Sequence, residues 1–160
     1  NVVGDVGTGS VKAGRGDTTG GDLFGDLELA ANAVGVCDDA CEMAVSFART
    51  HKRGGKYLME QQLVQLRINE MHALTEALRS FVMRTAWQHD QGTHSANAGL
   101  VMNWSTDVIQ KVTRLNMEIH GAEGCMMNAR VDKLVRDAMV WTHLAGDTVQ
   151  RIKILKRLIK

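Results

Sequence analysis

Proline is absent from all 160 residues, where average usage would place roughly eight. A chain without proline carries no forced helix stop, and long helices joined by few tight turns are the simplest architecture it permits. Aromatic residues are scarce at 4%, which argues against most β-sandwiches and barrels. Three cysteines cannot all pair with one another and are too few for a disulfide scaffold, so a reducing compartment is expected. Neither sign of charge dominates: the formal net charge of +1 excludes a basic arm built for nucleic acid. No uncharged apolar run approaches the roughly 18 residues of a membrane helix, and the first residues lack a signal-peptide pattern. A soluble, cytoplasmic protein with no membrane or nucleic-acid partner is therefore expected. What is present, 44% apolar and 23% charged residues, suffices to fill the core of one domain and excludes a disordered or collagen-like chain.

Charge and glycine are unevenly spread. Residues 1–46 carry eight acids against two bases, Lys12 and Arg15, whereas the last ten residues carry five bases and no acid. An acidic head and a basic tail can attract one another within a bundle or across an oligomer. Asn1 to Gly25 holds eight of the sixteen glycines and reads as a loop-rich strap, opening with a short strand at Asn1–Asp5.

From Asp26 onward the period is helical. Ala30, Val34, Cys37, Cys41, Ala44 and Ala48 alternate spacings of four and three, which is one helix face made of small side chains. Gly54-Gly55 interrupts it. Val64, Ile68, Met71, Thr75, Leu78 and Val82 mark a second helix as far as about Asp90, broken at Gly92, with Ser95 as N-cap of the next. Val101, Trp104, Val108, Val112, Leu115 and Ile119 mark a third, stopped at Gly121. A fourth runs from about Ala129 with Val131, Leu134, Ala138 and Trp141 inward, and a short fifth spans Thr148 to Lys160. Amphipathic helices joined by short loops fold back on one another. The fold class is all-α, an antiparallel four-helix bundle over 26–160 with a C-terminal appendage.

The candidate chemistry is sparse. Cys37 and Cys41 have a metal-compatible i, i+4 spacing, but on a small-residue seam they pack as alanine would. Cys125 has no base beside it. His89 and His94 straddle the Gly92 turn as solvated histidines, and the nine methionines read as core filler. The basic tail from Arg151 is expected to pack on its own bundle or a sister subunit rather than on a membrane. Gly121-Ala122-Glu123-Gly124 is a helix stop that could also offer backbone N–H groups to a phosphate. No metal site and no nucleophilic constellation emerges.

The order of the local signals adds a resemblance. Ala44 to Met71, AVSFARTHKRGGKYLMEQQLVQLRINEM, resembles the acyl-CoA dehydrogenase C-terminal domain. Met117-Glu-Ile-His-Gly-Ala-Glu-Gly124 is similar to that family's Gln-Ile-His-Gly-Gly-x-Gly loop. Val131 to Ala138 resembles its Val-Glu-Arg-Leu-Met-Arg-Asp-Ala helix, and Ala145-Gly-Asp-Thr148 with Val149-Gln-Arg151 sits where the family writes Glu-Gly-Thr-Ser and Ile-Gln-Arg. Asn1-Val-Val-Gly-Asp5 looks like the strand that ends the family's middle β-domain.

The resemblance implies a larger protein: a helical domain, a β-domain and this bundle, assembled as oligomers that bind FAD between subunits and dehydrogenate acyl-CoA thioesters. Residues 1–25 would be a remnant of the β-domain, and the chain alone is expected to be inactive. By the same resemblance Gln62 matches a flavin-contacting glutamine, Gly121, Gly124 and Gly146 match the loop glycines, and Thr148 holds a hydroxyl position. The departures fall on the cofactor and the base. His51 stands where an arginine pairs with the FAD pyrophosphate, so a fixed charge gives way to an imidazole whose charge depends on pH. Gly54 replaces a phenylalanine, and Glu118 replaces a glutamine, bringing a carboxylate toward phosphates. Ala145 falls at the catalytic glutamate and Leu144 at a tyrosine beside it. Gly25 falls at the alternative position for that base on the first helix, with Asp26 and Glu28 out of register.

Removing a proton next to a thioester needs a positioned base, and neither usual place supplies one. The favoured expectation is a degenerate subunit that forms homo-oligomers or hetero-oligomers with a catalytic paralogue. An active dehydrogenase with its base elsewhere, and a non-enzymatic helical interaction module, stand as alternatives.

Overall fold

The computed structural model describes residues 21–92, 97–126, 129–144 and 148–159. Helix α1 spans Gly21–Thr50 and is followed by a minimal hairpin of β1 (Lys52–Arg53) and β2 (Lys56–Tyr57). A 3₁₀ turn over Leu58–Glu60 leads into α2, Gln62–Asp90. Helix α3 is Asn97–His120, continued by a 3₁₀ segment over Gly121–Cys125; α4 is Val131–Leu144 and α5 is Thr148–Leu158. The all-α reading holds. The strap over 1–20 with its opening strand, the cap at Ser95, and His94 lie outside the described residues.

Cross-helix pairs fix the directions. On α1 and α2, Asp38 meets Arg79 at 2.6 Å and Cys41 meets Thr75 at 3.7 Å, so one runs down as the other runs up. Lys111–Glu70 and Arg67–Glu118 set α3 antiparallel to α2. Trp141 Nε1, which donates to the Leu29 carbonyl, and the Arg130–Asp39 pair set α4 antiparallel to α1. The stacked Phe47 and His120 put the C-terminal ends of α1 and α3 together, as diagonal partners in an up-down-up-down bundle.

The seams behave as their side chains dictate. Ala30, Ala33, Cys37, Ala40, Ala44 and Ala48 are fully buried, which allows close approach by α3. Buried hydroxyls on these faces are satisfied locally: Thr75, Thr85, Thr106 and Thr113 each donate to the carbonyl four residues back, at 2.8–3.1 Å.

Three boundaries or positions depart from expectation. Helix α1 begins at Gly21 rather than Asp26. Glycine lowers helix propensity by about 1 kcal/mol without forbidding a helix, and packing of the seam that follows overrides that cost. Trp104 is 40% exposed, while the adjacent Ser105 is fully buried; a close helix crossing has room for a hydroxymethyl group and not for an indole. Gly54 and Gly55 do more than interrupt: at φ +61° and +82° they form the two-residue turn that pairs Arg53 with Lys56. Among the described residues no helix is long and apolar enough to cross a membrane.

Candidate functional site

Several of the singled-out residues converge at one end of the bundle, where α1 and α3 both stop. His51 directly follows α1. Its backbone N–H donates to the Phe47 carbonyl at 3.0 Å, and its Nδ1 lies 3.1 Å from the same carbonyl. The Thr50 hydroxyl also lies 3.0 Å from Nδ1, so this nitrogen can donate to the carbonyl or accept from the hydroxyl, according to the tautomer. The imidazole stacks on the Phe47 ring with centroids 3.7 Å apart. His120, the last residue of α3, stacks on the same ring at 4.1 Å and is 5% exposed. Its Nδ1 donates to the Asn116 carbonyl at 2.9 Å. Burial pushes the His120 pKa down, outweighing that hydrogen bond, and the neighbouring His51 pushes it the same way.

Beyond His120 the chain turns on Gly121, at φ +59°. Gly124 is buried where a Cβ would stand 3.0 Å from His120 Cβ and 3.1 Å from the Met117 carbonyl oxygen, so a side chain there would press on both and glycine eases the close fold-back. The turn presents Glu123, whose carboxylate lies 3.5 Å from His51 Nε2 and 3.6 Å from Arg53. Between this segment and α1 lies a cavity of about 670 Å³, lined on the α1 side by Asp39, Glu42, Met43 and Phe47 and across from them by His120 and Glu123. Among its described lining residues none is lysine or arginine.

Residues 25–159 match the family described as acyl-CoA dehydrogenase, C-terminal domain. The chain belongs to this family. An acyl-CoA dehydrogenase of Bacillus subtilis (strain 168) is 28% identical over 137 residues, which cover 84% of this chain and 36% of that protein. Butyryl-CoA dehydrogenase from Megasphaera elsdenii superposes with a TM-score of 0.81 at 23% identity, over 89% of this chain and 39% of that one. PigA, solved with FAD and proline, superposes with a TM-score of 0.79 at 19% identity, over 85% of this chain and 36% of that one. These two likenesses are of fold. The chain spans little more than a third of the length of the curated relatives it matches.

Within this acyl-CoA dehydrogenase bundle the candidate residues are only partly gathered. His51, Gly121 and Gly124 meet at the cavity end. Glu118 faces the other way, paired with Arg67 at 3.0 Å and Arg114 at 3.8 Å on the α2 side. Gln62 is exposed at the start of α2. Thr148 opens α5, and Arg151, one turn later, binds Asp107 at 2.7 Å. Asp107 precedes Gly121 by fourteen residues, about 21 Å along α3 at 1.5 Å per residue. Ala145 and Gly146 lie outside the described residues. The i, i+4 cysteines are core: burial pushes the Cys37 thiol up to about 12, and the described residues contain no metal-competent cluster.

The diphosphate of FAD accepts hydrogen bonds and carries negative charge. The side chains here do not fit it: Asp39, Glu42 and Glu123 line the cavity as carboxylates, and its described lining offers no lysine or arginine to offset them. Sequence reasoning missed Phe47, His120 and Glu123 as a set. The i, i+4 spacing of Phe47 and His51 was a usable signal, but the pairing of Phe47 with His120, 73 residues later, had none.

Proposed function

We propose that this chain is the C-terminal helical part of a larger, flavin-dependent acyl-CoA dehydrogenase-like protein of the cytoplasm. Its role there is to pack domains or subunits, while the flavin phosphate contacts and the base come from other parts of the assembly. The parent reaction is α,β-dehydrogenation of an acyl-CoA thioester, in which a base takes the α-proton and FAD supplies hydride acceptance. The observation that carries the reading is the acidic lining of the loop-end cavity, Asp39, Glu42 and Glu123 with no lysine or arginine among its described lining residues, where a flavin diphosphate would need positive charge. The alanine at 145 and the glycine at 25 support it, since neither can take a proton. Met139, Val140 and Leu144 on α4 and Ile152 and Leu155 on α5, each about half exposed, support a packing role.

The test is to purify the full-length parent alone and after co-expression with a catalytic relative, and to assay each with an acyl-CoA substrate and an artificial electron acceptor. The homomer is expected to be inactive and to co-purify with the relative, with activity appearing in the mixed oligomer. Robust turnover by the homomer would establish the alternative, an active dehydrogenase with its base elsewhere.

A further inference from the structure

The polar part of the lining of the cavity between α1 and the 3₁₀ segment is rich in hydrogen-bond acceptors: Asp39, Glu42, Glu123 and His120. The Nδ1 proton of His120 is spent on the Asn116 carbonyl, so in the neutral ring its Nε2 is a bare acceptor. No described residue donates to His120 Nε2, although that ring is nine-tenths buried and lines the cavity. His51 Nε2 lies 3.5 Å from the Glu123 carboxylate at the edge of the cavity. The Thr50 hydroxyl, also on the wall, has the Ser46 carbonyl at 3.0 Å to donate to. Glu42 has no partner among the described residues. The arginine partners of Glu123 and Asp39, Arg53 and Arg130, sit at the rim and are 65% and 67% exposed, and pairs of that kind are weak and readily shared or exchanged.

A site of this kind asks for N–H donors and positive charge. The absence of a metal-competent cluster among the described residues turns that request from a metal ion to an organic cation, and the volume lies in the range of small-molecule sites. We propose that this cavity binds an organic cation bearing a protonated amine or guanidinium. Its N–H groups would donate to His120 Nε2 and to the carboxylates of Glu123 and Glu42, and its carbon chain would lie against Met43 and Met126.

The experiment is calorimetric titration of the full 160-residue chain with spermidine, with agmatine and with inorganic pyrophosphate. Saturable binding of one amine or guanidine per chain is expected, with none for pyrophosphate. Glu42→Gln and Glu123→Gln should each weaken binding about tenfold, the loss of one charge-assisted hydrogen bond, whereas Glu70→Gln on α2 should leave it unchanged. The ¹⁵N resonance of His120 Nε2 should move on saturation as a bare acceptor gains a donor. Pyrophosphate binding in place of the amines, no amine binding, or equal weakening by Glu70→Gln would each overturn the proposal, the last by showing diffuse attraction to surface acids.

Discussion

The two flanks of α3 are built to different standards. Toward α1 and α2 its interface is made of fully buried side chains, among them Met71 and Leu78 of α2 and its own Val101, Ile109 and Val112. Toward α5 the attachment is thin: Ile154 seated over Gly99, where a Cβ would stand 2.7 Å from its Cδ1, and the Arg151–Asp107 pair. Helix α5 otherwise leaves Val149, Ile152 and Leu155 about half exposed or more. Both flanks are apolar in sequence, so apolarity alone does not decide which is core. The first flank finds its partner within the chain; the second presents the face the proposed packing role would use.

The contrast breaks most visibly by truncation in the core. Leu78→Ala should cost about 3 kcal/mol, the usual cost of a cavity at a fully buried leucine, read as a lower urea midpoint with unchanged slope. A loss below about 1 kcal/mol would mean that this flank is loosely packed.

The same flank contains a polar flaw. The Asn116 side chain is fully buried and neither its Oδ1 nor its Nδ2 has a hydrogen-bond partner. Asn116→Leu should therefore stabilise the fold by about 1–2 kcal/mol, by removing two unsatisfied groups at similar volume. Destabilisation in thermal unfolding would indicate a buried water or partner that the amide serves.

At the loop end, Gly121→Ala should cost about 1 kcal/mol because φ +59° is left-handed, with the 3₁₀ segment rather than the core loosening in hydrogen exchange. Acidification should act at the same end. The buried His120 binds its proton less readily than it does in the unfolded chain, so the unfolded state gains protons first as pH falls through about 6.5. Stability should decline from there until the depressed folded-state pKa is passed, and be present in full above. His120→Phe should flatten that dependence in urea titrations at pH 5 to 8.

The smallest effect belongs to α5. Leu155→Ala, chemically the same truncation as Leu78→Ala, should change stability by less than about 0.5 kcal/mol while weakening association of the full-length parent in sedimentation. A large loss of stability in the isolated chain would show that this face is core after all.

Much of this was legible beforehand because it is local. The four-three spacing from Ala30 to Ala48 and from Val64 to Val82 fixes which side of each helix is buried, and Gly55, Gly92 and Gly121 interrupt the pattern where the left-handed region is entered. Trp104 was misread because spacing cannot say how closely two helices approach. The start of α1 was misread because glycine propensity is weak against packing.

The sequence by itself determined that this protein is a helical bundle, where its helices turn, and which family its loops belong to, since these follow from neighbours within a few residues. Only the tertiary structure decided what each functional candidate faces. Glu118 was expected to oppose phosphates and instead meets Arg67, 51 residues earlier. His120 lies beside Phe47 only because diagonal helices end together. The cavity's acceptor character depends on which ring nitrogen reaches a carbonyl. Side-chain electrostatics depend on distances between segments far apart in the chain, and packing sets those distances.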